Sequence, residues 1–147
     1  MNIPEYITKA EVQKVCEELG LCDWTTITND QVSEEEAAII LKALQFEDFE
    51  IPISVFRQGL EVELEHGTRY PDANVTNNHP LLTGRIVLAH LKETLDYYIR
   101  LDVAELEGDL LKAAASHKSD KMITIFQRLV NSKYELTQSE KKTISNI

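Results

Sequence analysis

Three pairs in this chain that place a Ser or Thr three residues ahead of a Glu mark candidate helix starts: Thr8 with Glu11, Ser33 with Glu36 and Thr137 with Glu140. Each pair fits a capping box, in which side chain and backbone reciprocally satisfy the orphan donors of a helix start. The stripe after Thr8 is Val12, Val15, Cys16 and Leu19, and Gly20 ends it with Leu21 available for a Schellman contact. After Ser33 come Ala37, Ile40, Leu41 and Leu44, behind an acidic first turn that suits the helix dipole. A third helix is expected from about Val55, capped by Ser54 behind Pro52, to His66, with Gly67 as its stop. A fourth, capped by Thr83, runs from Gly84 through Leu101 and on toward Ala115, with a weak point at Gly108. A fifth follows Ser119 and carries Met122, Ile125, Phe126, Leu129 and Val130 on one face; the pair Thr137/Glu140 marks a last turn. No hairpin signal competes with these segments, so the expected fold is all-α: a compact single domain over residues 1–147, a bundle of about five helices with one long loop at 67–82.

At 147 residues such a chain can bury roughly 70% of its unfolded surface without staples. Cys16 and Cys22 fit neither a redox C-x-x-C motif nor a disulfide framework and are expected to be reduced. No apolar run reaches the roughly 18 residues of a membrane span, and the first residues lack a basic and apolar leader pattern, so a cytoplasmic protein without membrane contact is expected. The formal charge of −10 argues against direct nucleic-acid binding, which needs clustered Lys and Arg. The same charge admits an acidic mimic of nucleic acid, although solubility is its commoner consequence.

The long loop contains Asp72, Asn74 and Thr76 in the spacing that opens a calcium loop. Asn77 and Thr83 stand where such a loop needs Gly and Glu, so a hydrogen-bonded Asx-turn loop is expected instead.

The polar groups that break the helical pattern are the informative ones. At about 100° per residue, Glu63 falls in the apolar arc of Phe56, Leu60 and Leu64, with His66 at its edge and Glu61 and Glu65 on the solvent side. On the expected fourth helix, His90, Glu93 and Tyr97 share a stripe with Ile86. Buried carboxylates must be paired, protonated or metal-bound. Two helices carrying Glu63/His66 and His90/Glu93 could therefore form a hydrogen-bonded network that fixes register, a site for Zn, Fe or Mn, or a histidine base tuned by a carboxylate. Tyr97 would stand behind them. No Walker loop, G-x-G-x-x-G, H-E-x-x-H or G-x-S-x-G motif is present.

The run GLEVELEHGTRYPDANVTNNHPLLTGRIVLAHLKETLDYYIRLDVAE, residues 59–105, resembles the signature of a family of uncharacterised proteins from bacteria and their viruses: ELEHG, NVTN, TG(K/R)I-x-LAHL-x-E and DYY. The chain differs at Arg85, Val87, and Thr94-Leu95, the last standing where a Phe-Pro pair is common. The resemblance implies that Glu63, His66, Asn74, Thr76, His90, Glu93, Tyr97 and Tyr98 belong to one unit, with residues 116–147 as a C-terminal helical extension. It implies no activity. The expectation is a small acidic non-enzymatic module, bacterial or phage-derived, that docks on a protein partner as a virion component or accessory factor. The alternatives are a metal-binding protein or metal-dependent enzyme built on Glu63, His66, His90 and Glu93, and an acidic nucleic-acid mimic.

Overall fold

The structure, a computed structural model, describes residues 7–145. They form six α-helices and no strand: α1 Lys9–Leu19, α2 Glu34–Ala43, α3 Ile53–Arg69, α4 Pro80–Glu93, α5 Tyr97–Ala115 and α6 Ser119–Ser145, with a 3₁₀ turn at Pro71–Ala73. The capping boxes at Thr8/Glu11 and Ser33/Glu36 both form, and Gly20 closes α1 at φ 70°. Trp24 is 1% exposed, so the connection after α1 is anchored in the core.

Several boundaries differ from expectation for local reasons. α3 begins at Ile53 behind Pro52, with no side-chain cap from Ser54, and runs through Gly67 to Arg69. α4 is capped by His79, whose Nδ1 accepts from Leu82 N at 3.4 Å, and Pro80 occupies the first turn, where its missing N–H costs nothing. Thr83 is instead buried inside the helix. The non-helical stretch between α3 and α4 thus narrows to residues 70–79 and contains the 3₁₀ turn. The expected fourth helix is two helices, because Thr94 turns extended (φ −164°, ψ 140°) and Asp96 takes φ −96°, ψ 16°. At the C-terminal end, α6 runs unbroken through Thr137, whose hydroxyl donates to Lys133 O one turn back instead of capping a new helix.

The chain divides into two compact units, Met1–Leu95 and Asp96–Ile147. In the first, α3 packs on α2 and α4, and α1 and α2 pack on α4, around a core that includes Val12, Ile40, Phe56, Leu60, Leu64, Val87 and Leu91. Gly84 lets α4 approach closely: a Cβ there would stand 2.8 Å from Leu44 Cδ1 and 3.1 Å from Ile40 Cγ2.

The second unit is an α5–α6 hairpin turned through His117 at φ 54°. Its register is held by ion pairs from Lys133 to Glu107 at 2.6 Å and Arg100 to Glu140 at 3.0 Å, and by a hydrogen bond from Ser132 to Asp102. Arg100 also grips the buried Asp96 through two nitrogens, at 2.9 and 2.8 Å.

Candidate functional site

The run ELEHG lies on the last two turns of α3. Leu60 and Leu64 fill the core, and Glu63, one position behind Leu64, is carried to the core's edge with its side chain 12% exposed. Its two carboxylate oxygens face two histidines: Oε1 lies 3.5 Å from His90 Nε2 on α4, and Oε2 lies 3.8 Å from His66 Nδ1 on the next turn of α3. These separations exceed direct hydrogen-bond length, so the coupling is electrostatic and strengthens when either imidazole is protonated. His66 also approaches the Glu63 carbonyl oxygen at 3.3 Å. Glu63 thus lies between His66 and His90.

The remaining members of the expected cluster lie elsewhere. Glu93 is the last residue of α4 and is exposed, on a stripe whose Ile86 is itself 39% exposed and so does not face the core. Tyr97 opens α5 in the second unit, edge-on to Tyr98 at 5.2 Å between ring centroids. Nor are Glu61 and Glu65 simply solvated: Glu61 accepts from the backbone N–H of Val32 at 3.2 Å, and Glu65 pairs with Arg69 at 2.8 Å. Among the described residues, no three His, Cys, Asp or Glu side chains form a group placed to hold a metal ion.

The loop after α3 forms an asparagine knot. Asn74 Nδ2 donates to Asn78 Oδ1 at 2.9 Å, and Asn78 N donates back to Asn74 Oδ1 at 3.2 Å. Asn77 and Asn78 sit in the left-handed region, φ 48° and 60°, which asparagine tolerates better than most side chains. From there Asn77 reaches Ile7 O at 2.6 Å and the buried Asn78 reaches Trp24 O at 3.4 Å. Asp72 is exposed in the 3₁₀ turn and takes no part in the knot's reciprocal bonds. The knot lies directly against Gly67, whose missing side chain leaves the space that Asn74 and Asn78 occupy.

Between knot and helices a cleft of about 270 Å³ remains, lined by Glu63, His66, Gly67, Tyr70, Asn74, Thr76, Asn78, Thr83 and Ile86 among others. That volume suits a single side chain or small polar group better than a drug-sized ligand. The cleft joins ELEHG, NVTN and the TG that opens the next motif, three blocks separated along the chain. Gly67, Tyr70, Asn78 and Ile86 were not singled out by sequence as its lining. The double asparagine, a pattern suited to left-handed backbone, was the signal available for Asn78.

Burial depresses the pKa of His79, the α4 cap beside the knot, with the Glu11 carboxylate opposing the shift more weakly. Its unprotonated Nδ1 is the form that can accept from Leu82 N.

Residues 12–107 match the family described as "Protein of unknown function (DUF5661)". That span takes in most of α1, all of α2 to α4 and the first part of α5, and leaves α6 outside. No curated protein and no solved structure matches the chain.

Proposed function

The chain belongs to that family of unknown function, which lends it no activity, and we propose from the site itself that its first unit is a non-enzymatic binding module whose cleft receives a cationic side chain of a basic protein partner. The observation that carries this reading is the cleft bounded by three motif blocks with the Glu63 carboxylate in its wall. A carboxylate among amide and hydroxyl groups selects a charged donor, as a guanidinium or ammonium on a neighbouring surface would supply. The surrounding charge supports the same partner: of the chain's 25 acidic and 15 basic residues, 17 and 7 fall within residues 1–95. Such a field speeds encounter with a basic surface. A role as an accessory factor or virion component of bacterial or phage origin accords with the family resemblance.

The test is a titration of the isotopically labelled chain with an arginine-rich peptide and, separately, a lysine-rich one. Amide shifts clustered at Glu63, His66, Thr76 and Thr83 are expected, with Glu63→Gln weakening binding at least about tenfold, the ~1.4 kcal/mol lower range of a charge-assisted contact. Shifts spread over the acidic surface and unchanged in Glu63→Gln would point to diffuse electrostatics of the nucleic-acid-mimic kind and overturn the cleft. Stoichiometric zinc, iron or manganese in the purified protein, lost in His66→Ala/His90→Ala, would replace it with a metal site.

A further inference from the structure

The second unit departs from the first in two respects. Its charges balance, with 8 acidic and 8 basic residues in residues 96–147, so the entire net charge of −10 resides in the first unit. It also has an unfilled apolar face. Ile123, Phe126, Val130 and Tyr134 recur at intervals of three and four along α6 and are 61%, 56%, 51% and 65% exposed, and Leu111 on α5 is 72% exposed. Between Leu111 and Phe126 runs an open groove of about 860 Å³, walled almost wholly by apolar atoms. Its polar rim includes the Glu107–Lys133 ion pair, whose charges already satisfy each other.

We propose that this face is a homodimer interface, in which the α5–α6 hairpins of two copies pack antiparallel about a two-fold axis near Arg128, setting Phe126 of one copy against Val130 of the other. Four observations select a second copy as occupant. A hairpin buries little by itself: within α5 and α6 only Tyr98, Leu106, Ala113 and Leu129 are buried, and two such hairpins complete a four-helix bundle. The intervals of three, four and four keep these apolar side chains on one face of α6, a helix of 27 residues about 40 Å long, so the face extends well along the hairpin.

The available area is also sufficient. The five exposed side chains offer roughly 500 Å² per copy at the usual size of large apolar residues, or about 1,000 Å² in an isologous pair, which reaches the lower bound of a specific interface. Finally, a neutral unit can meet its own image without repulsion, whereas the first unit, at −10, cannot. The dimer thereby carries two acidic units, each with its own cleft.

Sedimentation velocity of the full chain between about 1 and 100 μM tests the proposal, with weak homodimers expected in the micromolar range for an interface of this size. Phe126→Asp and, independently, Ile123→Lys are expected to give monomers with unchanged helical circular dichroism, since both positions are exposed. A mixed-label sample should give intermolecular contacts between Phe126 and Val130. A wild-type chain monomeric at 100 μM overturns the proposal. So does a dimer indifferent to both substitutions, or one lacking the Phe126–Val130 contact.

Discussion

Asn78 lies where a side chain on Gly67 would have to stand: its Oδ1 atom, with the amide of Asn74, fills the space beside that glycine. Gly67 is therefore required by its neighbours and not by its own backbone, since α3 continues through it to Arg69. Gly108 is the opposite case, a helical glycine on which an added Cβ would meet nothing within 4 Å.

The pair predicts opposite signs for one chemical change. Gly67→Ala gains about 1 kcal/mol of helix propensity but must displace the amides of Asn74 and Asn78, which costs more, so a net loss of about 1–2 kcal/mol is expected. Gly108→Ala should stabilise by about 0.5–1 kcal/mol. Urea unfolding followed by the fluorescence of Trp24, the only tryptophan, reports the first, and far-ultraviolet circular dichroism the second. A stabilising Gly67→Ala would mean that the asparagine knot is not held against α3.

His79 makes the first unit acid-sensitive. Because burial lowers its folded-state pKa from the ordinary 6.5, folding favours the neutral imidazole. Its contribution is complete above about 6.5 and is lost as pH falls from there through the depressed folded value, the unfolded chain taking up the proton first. Asparagine keeps a cap acceptor and cannot titrate. The drop in urea midpoint between pH 7.5 and 5.5 should therefore be smaller in His79→Asn than in the parent, and equal drops would remove His79 from the α4 cap.

Cys22 should be a slow nucleophile although the residue is exposed. Burial of the thiol, then the neighbouring Glu36 carboxylate, push its pKa up to about 11. At pH 8 its thiolate fraction, and with it the alkylation rate, is then about a hundred times below that of a thiol of ordinary pKa. Glu36→Gln retains the capping box and removes the charge, so iodoacetamide labelling of Cys22 read by mass spectrometry should accelerate. Labelling as fast as a free thiol in the parent protein would contradict the assignment.

What was legible in the sequence were features set by one turn of helix. Thr8/Glu11 and Ser33/Glu36 cap as their spacing requires, and Glu63 with His66 follows from two positions on one element. What was not legible depended on partners far along the chain. Gly67 looks like a helix stop until the knot that needs its bare backbone is in view. Thr137/Glu140 has the capping pattern, yet α6 runs on through it. The break at residues 94–96 hides inside an uninterrupted apolar stripe, and the stripe of Ile86, His90 and Glu93 turns out to lie at the surface of α4.

The asparagine knot ties together segments 70 and 54 residues apart, from Asn77 to Ile7 and from Asn78 to Trp24. Such long closures carry a loop entropy that the packing of the rest of the unit must offset. The cleft is accordingly a property of the completed first unit and of no fragment of it. Any molecule that occupies it raises the melting temperature of that whole unit as one cooperative block, so thermal-shift screening can find ligands without an assay for activity.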